Sequence, residues 1–278
     1  MTGVGALIGE AAAELGSVAE ARTLLAHAIG VEPSRLALVD GFDAAAVEDF
    51  QRLVARRRAG EPVQYLTGRA GFRYVEVEVG PGVFIPRPET EVMTGWAIEL
   101  LRTLDHPIAV ELCAGSGAIS LAIATEVPWA TGYAVELSPE AADFARRNLA
   151  ETTVELRVGD MADAFADLDG QVDLVIANPP YVPLAERALV GDDVIAHEPA
   201  LAVFSGDDGL DAMKVVADVA GRLLRPGGVV CAEHAESHAE AVVALFVEHG
   251  GFAQVIDHHD LTDRPRFVAA VRTADLAG

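Results

Sequence analysis

Residues 178–181 read Asn-Pro-Pro-Tyr and follow a mostly apolar run, 172–177, that is typical of a buried strand. The two prolines have no backbone N–H, so the turn after this strand offers mainly hydrogen-bond acceptors. The side-chain oxygen of Asn178 adds an acceptor, and Tyr181 adds a flat ring with a polar tip. Such a turn could hold a planar –NH₂ group that is about to act as a nucleophile. Taken alone, the tetrapeptide is equally consistent with an ordinary proline turn.

A loop of small residues follows an earlier predicted strand, 107–112, and leads into a predicted helix, 117–126. Small residues allow a backbone to approach a ligand at a helix N-terminus. The fingerprint Gly-x-Gly-x-x-Gly is not completed, because position 120 is Ser, and there is no P-loop lysine. The loop therefore predicts a nucleoside-like ligand without a pyrophosphate, with a plain tight turn as the alternative. Its residues are Cys113, Ala114, Gly115, Ser116 and Gly117.

Acidic residues end two further predicted strands. Glu136 ends the strand 131–136, at the position where a carboxylate can bind a ribose diol. The strand 154–158 is followed by Asp160, which could accept from an exocyclic amine, and by Met161, which could pack on an adenine face. A helix-capping role is the alternative for both carboxylates, and for Asp160 it carries equal weight.

Alternating strands and helices must position these residues. We predict strands at 107–112, 131–136, 154–158, 172–177, 226–233, 252–257 and 266–272, and helices near 89–104, 117–126, 139–150, 208–224 and 237–249. This alternation predicts an α/β fold with a mostly parallel sheet, in which ligands bind beyond the carboxyl ends of the strands. Helical spacing predicts a helical bundle over 1–70, and period-two alternation predicts a β-hairpin linker over 71–88, with its turn at 80–82 and a strand at 83–85. The sheet domain then covers 89–278.

The composition of the chain limits the classes of protein to which it can belong. The chain has 278 residues, of which 51% are hydrophobic, and only two cysteines, which suits a reducing cytoplasm. No apolar run has the length of a membrane span, and no signal pattern is present at the N-terminus. The net charge is −23, and residues 91–278 carry −20 of it, with 31 Asp and Glu against 11 Lys and Arg. Such acidity disfavours a nucleic-acid substrate, because phosphate binding depends on basic residues.

The four strand-end features together resemble class I S-adenosylmethionine methyltransferases, and the Asn-Pro-Pro-Tyr turn resembles members that methylate planar nitrogens. Further segments are similar to the release factor glutamine methyltransferases (the HemK/PrmC family) over about residues 20–272. They are 61–68 (Glu-Pro-Val-Gln-Tyr-Leu-Thr-Gly), 84–91 (Phe-Ile-Pro-Arg-Pro-Glu-Thr-Glu), 197–201 (His-Glu-Pro-Ala-Leu), 206–210 and 224–228. The sequence departs from the family pattern at Glu111, Cys113, Glu136 and Met161, where Asp, Gly, Asp and an aromatic residue are usual.

The resemblance implies a Rossmann-like seven-stranded sheet and methylation of the glutamine side-chain amide (N5) in the Gly-Gly-Gln loop of bacterial class I peptide chain release factors. It implies S-adenosylmethionine as the cofactor, bound by residues 113–117, Glu136, Asp160, Met161 and Asn178. It implies that Asn178, Pro179 and Tyr181 are catalytic. The substrate-binding residues that it implies are Phe84, Arg87, Asn178, Pro179, Pro180 and Tyr181. The helical bundle would bind the partner, and no metal, membrane or direct nucleic-acid partner is expected.

Three other patterns could suggest other sites. Cys231, Glu233, His234 and His238 could ligate a metal, but a strand end followed by a solvated helix start is favoured. Residues 257–260 (Asp-His-His-Asp) are interpreted as an exposed turn, and residues 56–58 (Arg-Arg-Arg) as a helix end facing solvent or a protein. The alternative functions are an N6-adenine or N2-guanine nucleic-acid methyltransferase, since the same tetrapeptide serves there, and a non-enzymatic cofactor-binding module.

Overall fold

The computed structural model describes residues 3–39, 41–189 and 191–274. It divides into two compact units, Met1–Arg69 with Gly191–His197, and Ala70–Val190 with Glu198–Gly278. The α-helices are α1 Val4–Leu15, α2 Val18–Ala28, α3 Ala44–Arg58, α4 Val63–Thr67, α5 Pro88–Leu101, α6 Ala118–Glu126, α7 Pro139–Asn148, α8 Asp192–His197, α9 Ala200–Val203, α10 Asp211–Leu223 and α11 Ala239–His249. The β-strands are β1 Arg69–Phe72, β2 Val75–Glu78, β3 Ile108–Leu112, β4 Thr131–Glu136, β5 Glu155–Val158, β6 Val172–Ala177, β7 Leu224–Glu233, β8 Phe252–His259 and β9 Pro265–Arg272.

The first unit is built from α1 to α4 and α8 around a small apolar core that includes Leu24, Leu25 and Phe50. Side-chain caps define two helix starts: the Ser17 hydroxyl accepts from the Glu20 N–H, and Asp43 accepts from the Ala46 N–H.

The three arginines that end α3 form ion pairs within this unit. Arg56 pairs with Glu61, Arg57 with Glu20 and Arg58 with Glu14. The arginines at 56–58 therefore link the end of α3 to α1, to α2 and to the segment that follows α3 in the same unit.

The second unit contains a seven-stranded sheet with the order β5-β4-β3-β6-β7-β9-β8. Strands β3 to β7 are parallel, and β9 runs antiparallel to both β7 and β8. Strands β3 and β6 are neighbours in the middle of this order, and all of their residues except Ile108 and Asp173 are buried, as expected for parallel strands covered on both faces. The α/β fold expected from the sequence is confirmed.

The predicted hairpin exists, but its turn was misplaced. Strands β1 and β2 form a two-stranded sheet, and Arg73 and Tyr74 connect them. A turn is present at 80–83, where the Val83 N–H donates to the Gly80 carbonyl at 3.2 Å, but it does not connect paired strands, and the expected strand at 83–85 is wrong. Val79, Val83 and Ile85 are buried, and a side chain at Gly80 would approach the Phe144 ring to 3.0 Å. This segment therefore packs its apolar side chains into the unit and does not pair as a strand.

The segment 257–260 also differs from the expectation. Strand β8 continues to His259, so residues 257–259 belong to a strand and the turn follows them. The antiparallel partner β9 extends the pairing to His259 and Pro265, which gives these residues hydrogen-bond partners that the local sequence does not reveal. Among the described helices, none combines the length and apolar character needed to cross a membrane.

Candidate active site

The parallel strands β3 to β7 all end at one edge of the sheet, which we call the carboxyl edge. The predicted site residues follow four of these strands: the loop 113–117 follows β3, Glu136 ends β4, Met161 follows β5 and Asn178 follows β6. This common edge is where parallel α/β sheets place their ligands.

The loop 113–117 makes a close turn into α6. Gly115 and Gly117 have positive φ angles of 56° and 76°. A side chain at Gly117 would meet Leu149 at 3.2 Å, whereas one at Gly115 would meet no atom within 4 Å. Gly117 is therefore required for packing, while Gly115 borders open space at the carboxyl edge.

Glu136 connects this loop to β4. One carboxylate oxygen accepts from the Gly115 N–H at 2.7 Å, and the other accepts from the Ser138 N–H at 2.8 Å. The side chain is 9% exposed. A carboxylate can accept about four hydrogen bonds, so both oxygens retain acceptor capacity for a diol. Glu136 therefore links the loop to Ser138, the N-cap residue of α7, and its binding of a ribose stays a prediction.

Asp160 caps the short 3₁₀ helix Met161–Asp163 through a bond of 2.9 Å from the Ala162 N–H. Asp160 therefore has the helix-capping role that the sequence offered as the alternative. The Cys113 sulfur lies 3.5 Å from the Met161 sulfur, which places two of the departures from the family pattern in contact.

Cys113 has a φ of 58°, a region that favours glycine. Burial raises the pKa of its thiol, and the negative charge of Glu136 adds to the shift. The thiol is therefore protonated at neutral pH and is a poor nucleophile.

Asn178 and Tyr181 meet at a buried carboxyl group. Asn178 Nδ2 donates to Thr90 Oγ1 at 3.1 Å, and that hydroxyl donates to Glu233 Oε2 at 2.7 Å. The Tyr181 hydroxyl donates to Glu233 Oε1 at 3.1 Å. Pro179 is buried and Pro180 is half-buried. The turn is thus held by α5 and by the end of β7.

Phe84 and Arg87 lie just before α5, where Glu198 holds the Arg87 side chain and the Ile85 backbone. Arg87 pairs with one Glu198 oxygen, and the Ile85 N–H donates to the other at 3.3 Å. The Arg87 guanidinium also lies over the Phe84 ring, 5.0 Å from its centre. Arg87 occupies the N-cap position of α5, and its carbonyl accepts from the Thr90 N–H at 3.2 Å, so the first turn of α5 connects Arg87 to the Asn178 network.

Three supporting residues were missed by sequence reasoning: Thr90, Glu233 and Asn148. Glu233 was interpreted only as part of a possible metal group or of a solvated segment. The structure corrects this, because Glu233 and His234 are 1% and 0% exposed. The missed signal was the position of a carboxylate at the carboxyl end of a fifth parallel strand. Among the described residues, no group of three or more His, Cys, Asp or Glu is arranged to hold a metal.

Asn148 joins the loop to β2, and its replacement should weaken cofactor binding. Its Nδ2 donates to the Ser116 carbonyl at 2.8 Å and its Oδ1 accepts from the Glu78 N–H at 2.7 Å. We expect Asn148→Ala to raise the Kd for S-adenosylmethionine by about 10-fold, because the unpaired loop carbonyl loses its orientation. Isothermal titration measures this, with exposed Gln171→Ala as the control. An unchanged Kd would show that the loop is rigid without Asn148.

Glu111 should make stability depend on pH. It is 2% exposed and accepts from the Ser120 N–H at 2.9 Å. Burial raises its pKa to about 8, although the Ser120 hydrogen bonds oppose the shift. The folded state thus binds this proton more tightly than the unfolded state, whose carboxyl has a pKa of about 4.3. The stabilisation is complete below that pKa and is lost as pH rises towards 8.

Glu111→Gln removes this titration and keeps an acceptor for Ser120. We expect the variant to become more stable than the wild type, by a difference that grows from about pH 5 to 8. Denaturant unfolding followed by tryptophan fluorescence reports on the second unit, since Trp96 and Trp129 both lie in it. Exposed Glu240→Gln is the control. Parallel stability profiles for the Glu111 variant and the wild type would contradict the prediction.

A cavity of about 330 Å³ lies on one face of the sheet, away from the turn at 178–181. It is lined by Ala109 and Glu111 of β3, Gly132 and Tyr133 of β4 and neighbouring residues of α6. It does not include the residues at the strand ends described above.

Comparisons with known proteins identify the family of the chain. Residues 10–68 match the model of the PrmC N-terminal domain, and residues 76–206 match that of the methyltransferase small domain. The chain is 51% identical over 253 residues to the release factor glutamine methyltransferase of Streptomyces coelicolor, which covers 90% of this chain and 89% of the relative. It is 45% identical over 257 residues to that of Mycolicibacterium smegmatis, covering 92% and 90%. The chain belongs to the release factor glutamine methyltransferase family.

Two further proteins are similar to this chain, one in sequence and one in fold. The 4-amino-L-phenylalanine/4-methylamino-L-phenylalanine methyltransferase of Streptomyces pristinaespiralis is 41% identical over 234 residues, covering 82% of this chain and 79% of the relative. The crystal structure of a methyltransferase from Pyrococcus furiosus has a TM-score of 0.51 at 17% identity, covers 81% of this chain and 98% of that chain, and shows the fold alone. The expectations of family, enzyme class and S-adenosylmethionine dependence are confirmed.

Proposed function

We propose that the protein transfers a methyl group from S-adenosylmethionine to the side-chain amide nitrogen of the glutamine in the Gly-Gly-Gln loop of class I release factors. The observation that carries this proposal is the orientation of Asn178. Asn178 Nδ2 donates to Thr90, so Oδ1 is the atom that would face a substrate. It lies next to two prolines, which have no N–H. An acceptor-only turn fits a substrate that brings two N–H donors on one planar nitrogen.

The residues at the carboxyl edge fit the cofactor. The Glu136 carboxylate retains acceptor capacity for ribose hydroxyls, and Gly115 borders open space at the loop. Asp160 and Met161 follow β5 and would serve the adenine, while Asn178 would face both cofactor and substrate. When bound, S-adenosylmethionine supplies an electrophilic methyl group on a sulfonium that departs as a neutral thioether.

The protein's own residues have mainly a positioning role. An amide nitrogen is a poor nucleophile, because its lone pair is delocalised into the carbonyl. Asn178 Oδ1 and the Pro179 carbonyl would accept its two N–H bonds and direct the nitrogen towards the methyl group. Such positioning contributes up to about 7–11 kcal/mol in well-oriented cases. The same acceptors stabilise positive charge that develops on nitrogen.

Tyr181 would cover the face of the substrate amide. Burial, together with the charge of Glu233, raises the pKa of its hydroxyl, so the phenol remains neutral and donates to Glu233. Phe84 and Arg87 would contact the chain that carries the glutamine. After transfer the methylated nitrogen carries one proton too many, and it loses this proton to water, because an N-protonated amide is a strong acid; a strong general base at this turn is therefore not required.

The helical unit supports a protein as the substrate. Residues 10–68 match a domain model specific to this family's N-terminal part, and we propose that this unit contacts the release factor. The −20 charge of residues 91–278 disfavours a phosphate backbone. A cytoplasmic location, where release factors act, belongs to the same proposal.

Two other acceptors deserve a direct test. The Asn-Pro-Pro-Tyr turn also suits the exocyclic amine of adenine or guanine, and one relative acts on an aromatic amine. The purified protein is incubated with labelled S-adenosylmethionine and, separately, a class I release factor, DNA, ribosomal RNA and 4-amino-L-phenylalanine. We expect label in the release factor. Label only in nucleic acid or only in the amino acid, or label in none of them, would refute the proposal.

A further inference from the structure

Glu233 is a buried carboxyl group at the end of β7 that accepts two hydrogen bonds from the site. Its Oε2 accepts from Thr90, and its Oε1 accepts from Tyr181. Thr90 is itself 3% exposed, and its carbonyl accepts from the Thr94 hydroxyl at 2.9 Å. The carboxyl group therefore lies behind the Asn-Pro-Pro-Tyr turn, one hydroxyl away from Asn178.

The direction of each hydrogen bond in this chain follows from the chemistry of Glu233. An ionised carboxylate can only accept, and a hydroxyl has a single hydrogen to donate. Thr90 gives that hydrogen to Glu233, so its oxygen can only accept from Asn178. The amide of Asn178 must then place Nδ2 towards Thr90 and Oδ1 on the opposite side.

The opposite orientation of Asn178 would damage the site. With the amide reversed, the turn would present an –NH₂ group to the –NH₂ group of the substrate, and two donors would face each other. The Pro179 carbonyl could still accept one N–H of the substrate, but the other would have no acceptor. The side chain of Asn178 is useful in one of its two orientations only.

We propose that Glu233 is a positioning residue that sets the amide orientation of Asn178 through Thr90 and holds the Tyr181 ring, and thereby presents the acceptor face of the turn to the substrate nitrogen. The inference rests on the proposed function for its consequence in methyl transfer. The hydrogen-bond polarity itself is independent of the identity of the substrate.

The surroundings of Glu233 determine when it is ionised. Burial raises its pKa to about 7, against the opposing effects of the Thr90 and Tyr181 hydrogen bonds and of Arg266 on β9. Glu89 of α5 adds a like charge, and Arg266 is shared with Asp260, 3.0 Å away. Neighbouring His234 bonds to Asp257 and to the Ala235 carbonyl. A protonated Glu233 could donate to Thr90 and release the constraint on Asn178, so the ionised form is the competent one.

Variants of the full-length protein test this inference in single-turnover methyl transfer to the release factor. We expect Glu233→Gln and Thr90→Val to lower the rate by about 10- to 100-fold, as one reversed or lost buried hydrogen bond does, with cofactor Kd within about threefold of the wild type. Thr90→Ser keeps the hydroxyl and should retain most of the rate. The double variant Thr90→Val/Glu233→Gln should lose little more than the slower single variant, because both changes break one chain.

A pH profile separates positioning from a merely structural role. The wild-type rate should rise with pH through about 7 and level off above it, whereas the Glu233→Gln profile should be flat. Exposed Glu236→Gln is the control and should keep the wild-type profile. A Glu233→Gln variant that keeps the wild-type rate and the wild-type pH profile would overturn the inference.

A readout without substrate distinguishes this inference from the proposed function. The Asn178 side-chain amide signals in a ¹⁵N–¹H spectrum, assigned by their loss in Asn178→Ala, should shift with a midpoint near pH 7 in the wild type and not in Glu233→Gln. If the wild type methylates no release factor but shows this titration, the proposed function fails and the positioning role stands. If the Asn178 signals do not titrate, or titrate identically in Glu233→Gln, the positioning role fails.

Discussion

Asn178→Ala is expected to lower the single-turnover rate of methyl transfer by about 10²- to 10³-fold, the loss typical of removing one group that stabilises developing charge. The side chain supplies the only side-chain carbonyl of the turn, and Thr90 holds it in place. Without the Asn178 side chain, the substrate nitrogen loses one of its two hydrogen-bond acceptors and is no longer oriented towards the methyl group.

Cofactor binding should be mostly retained in Asn178→Ala, because the loop 113–117 and Glu136 are held by bonds that do not involve Asn178. Titration calorimetry should give a Kd for S-adenosylmethionine within about threefold of the wild type. Gln171→Ala removes an exposed amide in the same unit and serves as the control. An unchanged single-turnover rate in Asn178→Ala would refute the positioning mechanism.

Glu136→Ala is expected to raise the Kd for S-adenosylmethionine by about 100-fold. The change removes the proposed ribose acceptor and also leaves the Gly115 and Ser138 N–H groups without their carboxylate partner. Each bond to a charged group contributes about 1.5–3 kcal/mol, and about 1.4 kcal/mol corresponds to a tenfold change in Kd. Exposed Glu240→Ala is the matched control.

The variant Glu136→Asp tests whether the negative charge or the length of the side chain determines the affinity for S-adenosylmethionine. Asp is usual at this position in the family, so a carboxylate one methylene shorter should restore part of the affinity. A Kd in Glu136→Ala equal to that of the wild type would show that the ribose is bound by other groups.

Much of the fold could be predicted from local pattern. The strands 131–136 and 172–177 agree with β4 and β6, because each is an apolar run bounded by loop residues. The hairpin turn could not be placed, since Gly80 and Gly82 do form a turn, but the strands pair around Arg73 and Tyr74, and the segment after β2 packs on Phe144 and Glu140 of α7, which are distant in sequence.

The candidate site could be predicted at positions where the chemistry of a single side chain and its place at a strand end are sufficient. Asn178, Glu136 and the loop 113–117 stand at strand ends, and the sequence indicates their position directly. Glu233 and Thr90 could not be found in this way, because their roles depend on contacts across 143 and 88 residues of chain. Glu233 is recognisable only when the sheet order places β7 beside β6.

The most direct test of the account is site-resolved mass spectrometry of a class I release factor after incubation with the protein and S-adenosylmethionine. We predict the addition of one methyl group on the side-chain amide of the Gly-Gly-Gln glutamine, present with the wild type and absent with Asn178→Ala. A methyl group on another residue, or an unmodified glutamine with an enzyme that binds the cofactor, would contradict the account.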